Sequence, residues 1–212
     1  MQIRPIAFVA VMSGLAAGAH AAVIDWNTWS SSSAGSTAGG VGVTYTSSDA
    51  HNLVSGYPTY TPTGTWADGS VVDNAPVAAN GIVQIYGGTG NVNTLTFSTA
   101  VVNPVLAIWS LGQGGTPASF VFQGATPVFV SGGTSAEYGG APITVLGNTV
   151  SGNEGNGTVQ FLGTFNSLSW TNPQYENWYG FNVGIANAVP EPEVYALLIA
   201  GLGLAGWLRR RR

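Results

Sequence analysis

Phe181-Asn182-Val183-Gly184-Ile185-Ala186 alternates large apolar residues with polar or small ones. A period of two in β-branched and aromatic residues predicts a strand with one buried face. The same period recurs upstream. Leu95 and Phe97 alternate with Thr94, Thr96 and Ser98, and Leu168 and Trp170 alternate with Ser167, Ser169 and Thr171. Phe120 and Phe122 flank Val121. Residues 82–86, 128–130, 143–146 and 159–162 are further strand candidates. Val105-Leu106-Ala107-Ile108-Trp109-Ser110-Leu111 is apolar on both faces, which predicts a central strand.

The punctuation agrees. Gly87-Gly88, Gly114-Gly115, Gly132-Gly133 and Gly139-Gly140 separate the runs. Pro104, Pro117, Pro127 and Pro142 fall at strand starts, where a missing amide is tolerated. No segment between the two ends carries an amphipathic 3.6-residue period over three turns. Many short strands, glycine-rich turns and no helix predict an all-β domain, a single β-sandwich of jelly-roll-like kind. Val23 to Trp26 reads as a first strand that pairs. Ser30 to Gly42 is low in complexity and reads as a long glycine-rich loop, with a flexible linker as the alternative.

Charge narrows the function. The chain holds 5 Lys+Arg, 9 Asp+Glu and no Cys. All five basic residues are arginines in the two ends: Arg4 and Arg209 to Arg212. The body, 22–189, has only acids: Asp25, Asp49, Asp68, Asp73, Glu137, Glu154 and Glu176. Nucleic acid is therefore not an expected partner, because phosphate neutralisation needs Lys or Arg. Disulfides and thiolate chemistry are excluded. A surface kept soluble by Ser, Thr, Asn and Gly can lie against neutral polysaccharide without ionic cost.

Candidate chemistry is sparse. His51 is the sole histidine of the body and reads as an exposed loop residue. Gly201 to Gly206 matches G-x-G-x-x-G but follows no strand and opens no βαβ unit. Glu154 and Glu176 would suit glycoside hydrolysis if the fold set them about 5–10 Å apart. Glu154, in Ser151-Gly152-Asn153-Glu154-Gly155-Asn156-Gly157, instead reads as a solvated hairpin tip. No catalytic or metal residue is assigned, and no cofactor is expected. Calcium is the ion best matched by the oxygen donors of Asp68, Asp73 and Asn74, or of Asn153, Glu154 and Asn156, but neither spacing is a known loop. The candidate recognition surface is Asn172 to Tyr179. There Tyr175, Trp178 and Tyr179 mix ring faces with amides and Glu176, as glycan sites do. Trp66, Tyr57 and Tyr60 are candidate additions to it.

The two ends address the chain. Residues 1–21 read as a signal peptide: Arg4 precedes an apolar run from Ile6 to Ala17, and Ala19-His20-Ala21 places cleavage before Ala22. At the other end, Pro190-Glu191-Pro192 precedes an uncharged run, Val194 to Leu208, and then Arg209, Arg210, Arg211 and Arg212. As a helix that run rises about 22 Å, short against the roughly 30 Å of a bilayer core. Trp207 and the arginines suit an interface, and the arginines hold their end cytoplasmic.

Residues 190–212 closely resemble the PEP-CTERM sorting signal of Gram-negative bacteria: Pro-Glu-Pro, short span, arginine cluster. The resemblance implies export through the inner membrane, transient anchoring by the C-terminal helix, and tail removal by an exosortase after signal peptidase has acted. It also implies a place at the cell surface or in exopolysaccharide and biofilm matrix. The expectation is a non-enzymatic surface or matrix protein. A carbohydrate-binding module using Trp and Tyr side chains is the alternative, and a glycan-active enzyme a further one.

Overall fold

The computed structural model describes residues 21–186, together with Leu202 and Arg209. The described strands form one compact unit, His20–Ala188. Their two sheets each have eight strands.

The first sheet holds β1 (Ile24–Trp26), β5 (His51–Val54), β6 (Ile82–Ile85), β8 (Val105–Leu111), β10 (Pro127–Gly133), β11 (Ala141–Pro142), β14 (Gly155–Phe161) and β16 (Tyr179–Ala186). Its order is β10-β14-β8-β16-β6-β5, with β1 on β16 and β11 on β14. The second holds β2 (Thr28–Ser31), β3 (Ala34–Ser36), β4 (Gly42–Thr46), β7 (Val92–Val102), β9 (Ala118–Gln123), β12 (Thr144–Leu146), β13 (Thr149–Gly152) and β15 (Thr164–Thr171). Its order is β12-β13-β9-β15-β7-β4-β3-β2. Every strand pairing is antiparallel except β11 with β14.

The sheets pack face to face. Leu106, Ile108, Val159, Phe161, Phe181 and Val183 of the first meet Tyr45, Leu95, Phe97, Phe120, Phe122 and Trp170 of the second. Trp170 packs edge-on to Phe181 with ring centroids 5.2 Å apart, a favourable quadrupole arrangement. This is the sandwich that the alternating runs predict.

A second cluster explains why Val105 to Leu111 is apolar on both faces. Val105, Ala107 and Trp109 point away from the inter-sheet core and pack with Ile24, Trp26, Tyr60, Trp66 and Val72. The segment between β5 and β6 thus covers the outer face of the first sheet. Hydrogen bonds tie it down: Trp66 Nε1 donates to the Ile108 carbonyl (3.3 Å), and Thr158 Oγ1 to the Trp66 carbonyl (2.8 Å). The cover also corrects the reading of β16 as half-buried. Asn182 is fully buried; it accepts from Trp29 Nε1 and donates to the carbonyls of Asn27 and Gly81.

The low-complexity stretch is not one long loop: β2, β3 and β4, joined by turns at 32–33 and 37–41, lie at one edge of the second sheet. Its small residues are a packing requirement at Gly35, where a Cβ would lie 2.5 Å from Asn27 Nδ2.

Among the described residues no helix is long and apolar enough to cross a membrane. The span Val194 to Leu208, read as a sorting helix, lies outside the described residues apart from Leu202, as do residues 1–20.

Candidate functional site

Strands β14, β8 and β16 are neighbours in the first sheet. Because they alternate in direction, the end of β8 and the starts of β14 and β16 lie together. Ser110, Glu154 and Trp178 meet there, and with Gln113, Tyr138, Glu176 and Asn177 they line a cleft of about 250 Å³.

A β-bulge builds the floor. In the β8–β14 register Ile108 faces Gly157 and Leu111 faces Gly155, so Trp109 and Ser110 together oppose Asn156. Bulges re-aim side chains and recur beside functional sites. Here Ser110 takes a left-handed φ of 55° and its amide donates to Asn156 Oδ1 (2.9 Å). Its hydroxyl donates to Glu154 Oε2 (2.8 Å). Glu154 is left-handed too, with φ of 59°. Two non-glycine residues in this sparsely populated region, bonded to each other in one cleft, mark a local geometry held by its surroundings.

Those surroundings overturn the reading of Glu154 as a solvated tip. The turn is packed against the 134–140 loop, and Asn156 Nδ2 donates to the carbonyls of Gly139 and Glu154. Gly140 shows how close the contact is: it has φ of 85°, and a Cβ there would sit 2.0 Å from the Glu154 carbonyl oxygen. Gly152, Gly155 and Gly157 are buried, because backbones pass each other here.

Glu176 arrives from the loop between β15 and β16. Asn172 anchors that loop, accepting from Trp170 Nε1 and Asn93 Nδ2 and donating to the Ser119 carbonyl. Glu176 is only 4% exposed. Its Oε1 accepts from the Trp178 amide at 2.8 Å, and its Oε2 is buried with no hydrogen-bond partner. Desolvation pushes its carboxyl up to about 7, and the Glu154 carboxylate adds to the rise, while amides of Trp178, Gly112 and Asn177 pull the other way. The two acids that the sequence paired are thus brought to one cleft in unlike environments.

Aromatic rings form the remaining wall. Trp109, fully buried, packs edge-on against Trp178 (5.6 Å) and Tyr138 (5.3 Å), with Tyr57 completing the cluster at 5.3 Å. Tyr138 is 54% exposed and Trp178 partly exposed. Tyr138 carried no sequence signal; it stands alone in a glycine-rich loop, and only the fold brings it here.

The other predicted residues fall elsewhere. Tyr175 is exposed, outside the cleft lining. Tyr179, Tyr60 and Trp66 are core residues with no ring face open to solvent. His51 lies in β5, half-buried and edge-on to Tyr45, with Nε2 3.2 Å from Ser33 Oγ and Nδ1 2.9 Å from the Asp49 carbonyl. Several of the oxygen donors weighed for calcium are engaged in the fold, whereas Asp73 is exposed. Asp68 accepts from the amides of Ser70, Val71 and Val72. Asn74 accepts from the Ile24 amide and donates to its carbonyl. Asn153 accepts from the Gly115 amide. Among the described residues no three His, Asp or Glu side chains cluster as a metal site. Ala22 bridges to Val72, its amide donating to the Val71 carbonyl. Ala19, Pro190, Glu191, Pro192 and Arg210 to Arg212 lie outside the described residues.

Fold and cleft define the class: an all-β sandwich with an acidic, aromatic-walled cleft at one end of its first sheet. The tail adds the particular. Residues 188–212 match the PEP-CTERM protein-sorting motif, so the chain is an exported protein sorted as an exosortase substrate. No curated protein and no solved structure matches the chain.

Proposed function

We propose that the processed body acts outside the inner membrane of a Gram-negative bacterium, at the cell surface or in its matrix, as a non-enzymatic glycan-binding protein. Signal peptidase cuts before Ala22 and exosortase removes the tail. The hydrogen bonds that tie Ala22 to Val71 and Asp73 support a folded body that begins there.

The observation that carries the binding reading is the cleft, where Trp178 and Tyr138 stand beside Glu154, Glu176, Gln113 and Asn177. Apolar ring surface beside a few convergent polar groups suits sugars. The test is retention of the secreted protein on exopolysaccharide from its own host. Trp178→Ala is expected to lower retention at least tenfold, with the circular dichroism spectrum kept; equal retention refutes the reading.

One observation favours glycoside hydrolysis as the second reading. Glu154 and Glu176 share a cleft, and burial raises the proton affinity of Glu176, as a general acid requires. Release of reducing ends from the same polysaccharide, abolished in Glu176→Gln, would replace binding with catalysis.

A further inference from the structure

We infer that the cleft selects a sugar bearing a free, protonated amine, as in a de-acetylated amino-sugar polymer, over a neutral or N-acetylated one. This inference rests on the glycan-binding reading and narrows it.

The cleft lacks a cation. Two acidic side chains, Glu154 and Glu176, line it, and residues 22–189 contain no Lys or Arg that could approach either. Glu154 has a neutral partner in the Ser110 hydroxyl. Glu176 has less: it is almost wholly buried, lines the cleft, and leaves Oε2 without any partner. A buried, unsatisfied carboxylate oxygen is costly. Oε2 has almost no surface open to the cleft as the side chain stands, so an ammonium donor reaches it through a turn of the carboxyl group and then satisfies it with a charge-assisted hydrogen bond, stronger than one from a hydroxyl.

The wall has the same preference. Trp178 and Tyr138 border the cleft, backed by Trp109. Ring faces attract cations, and tryptophan does so most strongly. Gln113 and Asn177 supply neutral donors and acceptors for hydroxyls of the same sugar. An acetylated nitrogen offers no positive charge and adds bulk in a cleft of only about 250 Å³. Anionic sugars would meet two acidic side chains and no Lys or Arg of residues 22–189. Tyr138 and the buried Tyr179 hydroxyl are the other titratable groups nearby, and neither supplies a positive charge.

The test uses processed protein recovered from its host and three β-1,4-linked tetramers: glucosamine, N-acetylglucosamine and glucose. Calorimetry is run near pH 7, where Glu176 of the empty cleft is about half ionised, at about 0.15 M salt, where diffuse attraction between an acidic protein and a polycation is largely screened. The glucosamine tetramer is expected to bind at least tenfold more tightly than the other two. Glu176→Gln should erase that preference, whereas Asp73→Asn, which removes an exposed acid outside the cleft, should keep it. Equal affinity for all three overturns the amine preference and leaves glycan binding standing. A preference that survives Glu176→Gln but falls with Asp73→Asn overturns the assignment to the cleft. Binding of none removes the glycan reading, and this inference with it.

Discussion

Asp68 and Glu176 are both acids in polar, turn-rich stretches, yet their carboxylates meet opposite fates. Burial nudges Asp68 upward, but the Ser70 hydroxyl and the amides of Val72, Val71 and Ser70 outweigh it and hold its carboxyl at about 2. That carboxylate closes a turn, and the turn fastens Trp66 and Val72 over the first sheet. Glu176 is buried among groups that satisfy one oxygen and leave the other, and its carboxyl rises to about 7. An acid whose oxygens are locally satisfied belongs to the fold. An acid held against its own solvation beside an opening is available to a ligand.

The largest expected effect tests the structural side of that contrast. Trp66→Ala removes a fully buried ring and should cost about 3–5 kcal/mol, seen as a lower denaturation midpoint. A loss below about 1 kcal/mol would mean that the cover segment does not hold the sheet.

Next comes pH. Glu176 keeps its proton in the folded state up to about 7 and loses it in the unfolded chain near the ordinary 4.5. Between those values the native state binds more protons, so this group's contribution to stability falls as pH rises and levels off above 7. The change should amount to a few kcal/mol. Melting of wild type and Glu176→Gln at pH 5 and pH 8 checks it. The variant should gain on wild type at pH 8 and match it at pH 5; parallel profiles would mean that Glu176 is not strained by its site.

Asp68→Ala should cost about 1–2 kcal/mol, because three amides lose their acceptor in an exposed turn. It should leave cleft binding intact, and a binding loss equal to that of Trp178→Ala would erase the distinction between the two acids. The smallest effect belongs to Tyr175→Ala, within about 0.5 kcal/mol of wild type, since that ring is 67% exposed. A clear loss of glycan retention in this variant would extend the binding surface beyond the cleft.

The fold was largely legible. The strand runs at 105–111, 118–123, 164–171 and 179–186 announce themselves by period and composition. What misled was glycine. In Ser30 to Gly42 and in Ser151 to Gly157, glycine and small residues signal freedom when read along the chain. In three dimensions they permit close approach, at the edge hairpin and around Glu154. Aromatic residues misled in the same way. Tyr175, Trp178 and Tyr179 look equivalent in sequence, yet strand alternation buries Tyr179, the loop exposes Tyr175, and Trp178 alone borders the cleft. The pairing of Glu154 with Glu176 was nameable but not decidable, because 22 positions separate them and only the β14-β8-β16 order brings them together.

The sequence by itself determined the class of fold and the address. Period-two patterning is a local property, and a sorting motif is read as a linear string. It also determined that the body, residues 22–189, carries no lysine or arginine. Tertiary structure decided which acid is satisfied and which is not, which rings face a ligand, and that one central sheet is covered on both sides. These depend on burial and on neighbours distant in the chain, and desolvation and hydrogen-bond satisfaction exist only once those neighbours have met.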